Sequence, residues 1–339
     1  MRPSYYIGID IGGLSLKTGI VTRRGELVLK EEYDAEKITS PSHLFLLLHD
    51  TITRLLGATA IQKQSLGGIG VGAPGWVNHD EGSVHELMNV ATPAWQDVPL
   101  KEEFEREWDL KTFVDNDGNV MAVGELVYGA GRGHKNFVCI TLGTAVGGAF
   151  VIDGEIYRGT QGLAAEIGHM TLDWNGLKCV CGAKGCLGRY VGSRLIVADA
   201  CKRLKDSGGR NTEGVLEQMV SSGSTPLSPK LLAEAAEKGD KIAIEIWRET
   251  GFRLGVALAG LVNLLNPECF IIGGGLAKAG SILFDQMRDT MGSLAMNQLG
   301  KTTPVVEAQL GEDAGIIGAA TLAMRCIEKT YSPSPSPID

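Results

Sequence analysis

The apolar positions fall first into short continuous runs broken by glycine turns, and later into longer stretches with helical spacing. "YYIGIDIGGLSLKTGIVTRRGELV", residues 5–28, is an apolar run, a glycine-rich turn, a second strand, a glycine turn and a third strand. "NFVCITLGTAVGGAFVIDGEIY", residues 136–157, repeats that plan. Each predicts a strand–turn–strand unit with small residues where backbone must approach something closely. The repetition suggests a duplicated fold with a cleft between its halves. Residues 42–56, "SHLFLLLHDTITRLL", carry helical spacing with Ser42 as N-cap. "GGIGVGAPGWV", 67–77, predicts a buried strand running into a Pro-Gly turn. "NDGNVMAVGELVYGAG", 116–131, starts on capping residues and predicts a helix ending near Gly129. Residues 228–240 and 241–266 predict two helices, the second long and largely buried. "CFIIGGGLA", 269–277, predicts a central strand ending in a glycine turn. Strands alternating with helices indicate an α/β architecture. The tail "SPSPSPID" has the composition of a disordered segment.

Composition narrows the picture. A chain of 339 residues fits one large or two medium domains. Its 44% apolar and 21% charged content is that of a soluble globular protein. A net charge of −8 argues against a broad nucleic-acid footprint. "LFLLL" is cut short by His49 and Asp50, too soon for a membrane span. "MRPSYYIGID" enters a strand at once, without a leader-type apolar stretch. Seven cysteines, three of them bunched, read as a reducing compartment with a metal site rather than a disulfide framework. The expected location is the cytoplasm.

Several constellations carry candidate chemistry. Asp10 stands at a strand end before Gly12, Gly13, Ser15 and Lys17. A carboxylate there can hold a metal-bound water while backbone N–H groups face phosphate, and a tight hairpin with a capping Asp fits equally. Gly143, Thr144, Gly147 and Gly148 offer donors to an anion, although the Gly-Lys-Ser/Thr ending of a Walker loop is absent. Asn116 and Asp117 open a helix. They suit plain capping, or a general base that takes the proton of an alcohol during phosphoryl transfer. His169, Cys179, Cys181 and Cys186 form a Cys₃His set of the kind that closes around structural zinc. Gly273, Gly274 and Gly275 end a strand where a nucleotide base or ribose can approach the backbone.

In order along the chain, "GIDIGG", "GVGAPGWV", "NDGNVMAVGE", "GAGRG", "LGTAVGG", "AAEIGHMTL", "CVCGAKGC", "LVNLLNPECFIIGGG" and "GEDAGIIGAA" resemble the ROK family of bacterial sugar kinases and sugar-responsive repressors. The resemblance runs from about residue 5 to 325. It implies a two-domain α/β fold of the actin/hexokinase-like, ribonuclease H-like kind, with a central cleft and a structural zinc site. The implied division is a small domain over 1–115, completed by a C-terminal helix at about 314–329. A large domain with the zinc motif covers 116–313, and a disordered tail 330–339. It implies ATP-dependent phosphorylation of a hexose or hexosamine, with ATP, Mg²⁺ and structural Zn²⁺, and a homodimer.

By the same resemblance Asp117 is the catalytic base, and Gly75, Asn89, Asn116, Glu166 and His169 lie at the sugar. One ring nitrogen of His169 would go to zinc and the other toward the sugar. Asp10, Gly12 and Gly13 match a first phosphate loop, Gly143, Thr144 and Gly147 a second, and Gly273 to Gly275 an adenosine motif. Repressor members carry an added helix-turn-helix domain. Here the first loop strand begins near Tyr5, which favours a kinase. The chain departs from the family pattern at Leu14, where Thr is usual, at Ala145, where Gly is usual, and at Gly188, where Glu is usual. Losing a charge-assisted hydrogen bond at 188 would cost about 1.5–3 kcal/mol with a glucose-like ligand. Two further readings follow from these departures. One is a kinase of shifted specificity, with Trp76 and Arg189 changing the walls of the site. The other is a non-catalytic sugar-sensing protein.

Overall fold

The computed structural model describes residues 3–87, 95–206, 214–221 and 226–331. Asn89 and residues 332–339 of the expected tail lie outside the described residues, whereas Thr330 and Tyr331, assigned to that tail, continue the C-terminal helix. The chain begins with β1 (Tyr5–Ile11), β2 (Ser15–Thr22), β3 (Leu27–Asp34), α1 (Pro41–Thr59) and β4 (Leu66–Ala73). Next come β5 (Gly75–Asn78), β6 (Ser83–Leu87), β7 (Trp95–Val98), α2 (Leu100–Trp108), β8 (Thr112–Asn116) and α3 (Asp117–Tyr128). The second strand group is β9 (Phe137–Leu142), β10 (Val146–Ile152) and β11 (Glu155–Tyr157). The helices α4 (Gly188–Val191), α5 (Ser193–Asp206), α6 (Val215–Ser221), α7 (Pro229–Glu237) and α8 (Lys241–Leu265) follow. The chain finishes with β12 (Cys269–Gly273), α9 (Ser281–Leu294), α10 (Leu299–Thr302), β13 (Val305–Glu307) and α11 (Ala314–Tyr331). Among these described helices none is long and apolar enough to cross a membrane.

Two compact units form. The first comprises residues 1–134, 149–164 and 309–339. Its main sheet has the order β3-β2-β1-β4-β8. The hairpins β1–β2 and β2–β3 are antiparallel, whereas β1–β4 and β4–β8 are parallel. A small antiparallel sheet, β5-β6-β7, accompanies it.

Period-two alternation explains what covers each face. On one face Ile7, Ile9 and Ile11 of β1 and Ile69, Val71 and Ala73 of β4 join Leu44, Leu48, Ile52 and Leu55 of α1 in one buried core. The other face presents Gly8 and Gly70, and α11 lies directly on it. A Cβ at Gly8 would sit 2.0 Å from the Ile316 carbonyl oxygen, and one at Gly70 1.7 Å from that of Ala319. Tyr6 and Val21 close the same face against Ile316, Ala320, Ala323 and Met324 of α11.

The first helix begins earlier than the sequence pattern suggests. Ser40, not Ser42, is the N-cap, and its hydroxyl accepts the His43 N–H. Pro41 takes the first helical position, where its missing N–H costs nothing and its fixed φ suits the helix. The helix α3 ends at Gly129 as expected.

The second unit comprises residues 135–148 and 165–308. In it β12 lies between β9 and β13, parallel to both, and all five of its residues are buried. β10 starts as the hairpin partner after β9 and continues into the first unit, where its end pairs antiparallel with β11. The long helix α8 is capped by Asp240, which accepts the Ala243 N–H, and ends on Asn266 in the left-handed region. Its buried stripe includes Trp247, Leu254, Leu258 and Val262.

One carboxylate fastens α3 to the turn before α11. Glu125 is fully buried and accepts N–H groups from Ala130 at 2.7 Å, Gln309 at 3.1 Å and Leu310 at 2.9 Å. Glu125→Ala removes the acceptor from three partly buried N–H groups, at about 1–3 kcal/mol each. The expected loss is roughly 3–5 kcal/mol of unfolding free energy, read from urea denaturation. A loss under about 1 kcal/mol would show that water replaces the carboxylate.

Candidate active site

The first unit carries the proposed base. β8 turns into α3 at Asn116 and Asp117, because Asn116 has an extended backbone and a side chain that caps the helix. Asn116 Oδ1 and Asp117 Oδ1 each lie 2.9 Å from the Gly118 N–H. Asn116 Nδ2 reaches the Gly75 carbonyl oxygen at 3.5 Å, which links the corner to β5. Capping and chemistry are therefore not alternatives here: Asn116 is the cap, and Asp117 is the first helical residue behind it.

Two residues absent from the sequence reading complete this corner. Asp115 is 2% exposed, and its Oδ2 accepts Arg158 Nε at 2.9 Å and Nη2 at 2.6 Å. Its Oδ1 accepts the Asn116 N–H and Asn119 Nδ2, both at 2.8 Å. The adjacency of Asp115 to Asn116 and Asp117 was the available signal. Nothing in the pattern around Arg158 pointed to its partner.

Asp10 lies across β1–β2 from Lys17. The Gly12 N–H bonds the Ser15 carbonyl and closes the turn that holds Gly13 and Leu14, and the Leu14 side chain is exposed. Gly315, at the start of α11, lies against the Asp10 carboxylate, where a Cβ would be 2.2 Å from Oδ2. Burial pushes the Asp10 carboxyl up to about 6; Lys17 opposes the shift and Glu32 adds to it. Such a carboxylate favours a cation in front of it, which fits Mg²⁺ held through a water. Lys17 itself donates to the Glu312 carbonyl oxygen at 3.1 Å, so its ammonium also fastens the turn before α11.

The second unit gathers the other glycine loops. The Gly143 N–H bonds the Ala145 carbonyl, and the Gly143 carbonyl accepts the Ser193 N–H at the start of α5. Thr144 and Ala145 are exposed at the tip, and Gly147 lies against the Thr141 hydroxyl. Gly274, at φ 86°, lies on Leu142, where a Cβ would fall 2.4 Å from its carbonyl oxygen. Gly273 and Gly275 flank it. The turn 273–275 and the loop 143–147 thus adjoin.

Glu166 and His169 belong to the same unit, on a single 3₁₀ turn that packs against β10. Glu166 reaches solvent, yet burial of its carboxyl raises the pKa, against the opposing pull of His169. The sulfurs of Cys179, Cys181 and Cys186 and a ring nitrogen of His169 lie within 4.8 Å of one another. Cys179 Sγ is 3.6 Å from His169 Nδ1, and Cys181 Sγ is 3.7 Å from Cys186 Sγ. Zn–S and Zn–N bonds in a tetrahedron place ligand atoms about 3.5–3.8 Å apart, so the donor set and its spacing fit zinc. Burial and the neighbouring Cys179 and Cys181 push the Cys186 thiol up to about 12, a conflict that a bound cation removes. With Nδ1 turned to the sulfurs, Nε2 remains for another partner.

Two outcomes are expected. The purified protein carries about one zinc per chain by elemental analysis; chelation or Cys181→Ser lowers both the melting temperature and sugar affinity, and a metal-free sample with unchanged melting would refute a structural zinc. Asp10 titrates upward on folding, so its contribution to stability is present below pH 3.8 and is lost as pH rises through about 6. Asp10→Asn should therefore lose MgATP binding yet be the more stable protein above pH 6 in urea titrations, with the advantage fading toward pH 4.

The ROK family model matches residues 6–326. A glucokinase of Halalkalibacterium halodurans is 36% identical over 95% of this chain and 96% of its own length. A xylose repressor of Bacillus subtilis is 26% identical over 95% of this chain and 78% of its own length. The solved structure of a ROK family glucokinase from Streptomyces griseus, in complex with glucose and AMPPNP, covers 95% of this chain and 99% of that one. It has a TM-score of 0.81 and 32% identity. The glycine loops, the Asn116–Asp117 corner and the Cys₃His cluster all fall inside the matched span, and the chain belongs to the ROK family.

Proposed function

We propose that this protein is an ATP-dependent sugar kinase acting on a hexose or hexosamine, with Asp117 as general base. The observation that carries the reading is the helix-capping corner, which presents a carboxylate beside Asn116 and Gly75. Asp117 accepts the proton of a sugar hydroxyl, and the freed oxygen bonds to the γ-phosphorus of ATP. The bond between that phosphorus and the bridging oxygen of the β-phosphate breaks, and ADP leaves. Asn116, Gly75, Asn89, Glu166 and His169 hold the sugar hydroxyls. Backbone N–H groups of Gly12, Gly13, Gly143 and Gly147, with the hydroxyls of Ser15 and Thr144, face the phosphates. Gly273 to Gly275 receive the adenosine. Mg²⁺, held through Asp10, supplies charge neutralisation on the phosphate oxygens. His169 and the three cysteines would hold zinc, and His169 so held would keep its imidazole in one orientation.

Cytoplasmic location is part of this reading, supported by the bunched cysteines, which suit metal binding in a reducing compartment. So is a homodimer.

Gly188 favours a second reading, a kinase of shifted specificity. It lies against Gly168, in the turn that carries Glu166 and His169, where a Cβ would be 3.2 Å from the Gly168 carbonyl oxygen. The position borders the proposed sugar-binding pair and offers it no side chain.

A coupled ADP assay over hexoses, acylamino sugars and polyols separates these readings. A glucose-type preference supports the first, and a preference elsewhere that returns to glucose in Gly188→Glu supports the second. Asp117→Asn should lower kcat on the order of 10²–10⁴-fold. No sugar-dependent turnover, together with no MgATP binding by calorimetry, would leave the sugar-sensing protein.

A further inference from the structure

The corner that carries Asn116 and Asp117 is closed into a hydrogen-bonded circuit within the first unit. Asn116 Nδ2 reaches the Gly75 carbonyl oxygen on β5. The next residue on β5, Trp76, donates its indole N–H to the Gln161 carbonyl oxygen at 3.3 Å. Gly162 lies against Val77, where a Cβ would fall 2.9 Å from its carbonyl oxygen. Arg158, at the head of that same segment, returns to β8 through both of its bonds to Asp115 Oδ2. Asp115 Oδ1 closes the loop on the Asn116 N–H. His79 Nδ1 lies 3.7 Å from Asp115 Oδ2 and 3.0 Å from the Val114 carbonyl oxygen. It adds one neighbour to the carboxylate but no fork.

A buried carboxylate needs a partner for its charge, and many cations would serve for that alone. A guanidinium that bonds one carboxylate oxygen through two N–H groups also fixes the direction of the carboxylate. Direction matters here because the other oxygen of the same carboxylate holds the backbone N–H of Asn116 and the side chain of Asn119. Those two groups bracket Asp117 along the chain.

We infer that Asp115 and Arg158 are positioning residues of the phosphotransfer site, setting the β8–α3 corner so that Asp117 faces the acceptor hydroxyl and Asn116 holds the sugar. The inference rests on the reading of Asp117 as the base. Asp115 and Arg158 act through Asn116 and Asp117 rather than on the substrate.

The test uses the full-length protein and four variants: Asp117→Asn, Arg158→Lys, Arg158→Gln, and the double variant Asp115→Asn/Arg158→Gln. Thermal midpoint, kcat and the KM values for sugar and MgATP are measured on each. Arg158→Lys keeps the charge and loses the fork, and should melt near the parent while kcat falls about 10–100-fold with KM for MgATP unchanged. Arg158→Gln strands a buried charge and should melt lower. The neutral double variant should recover that midpoint without recovering kcat. A merely structural ion pair gives the opposite result: kcat follows the midpoint back up in the double variant, and Arg158→Lys has parental kcat. Either observation overturns the inference. Asp117→Asn separates the two levels. If it remains active, the base reading and this inference fall together; if it is inactive while folded Arg158 variants keep full kcat, only the positioning role falls.

Discussion

The backbone of α11 lies directly on the glycine face of β1 and β4, and the first unit is arranged by that approach. With Cβ positions at Gly8 and Gly70 only 2.0 and 1.7 Å from helix carbonyl oxygens, no larger residue allows the two to meet. The opposite face of the same strands carries isoleucine and valine at every second position and buries them against α1. The helix therefore starts close enough for Gly315 to touch the Asp10 carboxylate. Lys17 and Lys30 fasten the turn before it, bonding the Glu312 carbonyl and the Asp313 carboxylate. Glu125 ties the same region to α3, whose first residue is Asp117. Both candidate chemical carboxylates of this unit thus take their places from one helix–sheet contact.

Three acidic side chains in this unit show how environment assigns a task. Glu125 is satisfied by backbone N–H groups and serves as a fastener. Asp115 is satisfied by the Arg158 fork, which neutralises it in place. Asp10 has Lys17 opposite but burial prevails, so its carboxyl is raised to about 6. Of the three it is the one whose ionised form gains most from an added cation, which supports its proposed role toward magnesium and phosphate.

Local information was legible in the sequence and distant pairing was not. The repeated strand–glycine–strand pattern located both hairpins, because alternation and turn chemistry act over a few residues. The Cys₃His set was legible for the same reason: its ligands lie within 18 positions and adjoin in space. The glycines of "GIDIGG" were read as places of close approach. For Gly8 the partner proved to be a helix some 300 residues later, which no periodicity can name. Ser42 lost the cap to Ser40 because Pro41 fits the first helical position, a signal present in the sequence and outweighed by the apolar spacing. Asp115 and Arg158 are 43 residues apart and join through tertiary structure alone.

The turn carrying Glu166 and His169 connects the metal cluster to this logic of fixed carboxylates. Ala165, just before Glu166, is held at φ 67°, a left-handed conformation unfavourable for alanine by about 1–2 kcal/mol. Such strain persists only where the surroundings over-determine the backbone. Here the constraints are visible on both sides. Ahead of the turn, the Ile167 N–H bonds the Ala165 carbonyl at 2.7 Å, and Gly148 packs against that carbonyl. Behind it, His169 is gathered with three cysteines, and Leu187, directly after Cys186, donates its N–H to Met170. A metal ion held by these four side chains would remove freedom that flexible hydrogen bonds leave. The proposed sugar-binding pair would then be set before substrate arrives, and binding free energy need not be spent on ordering it.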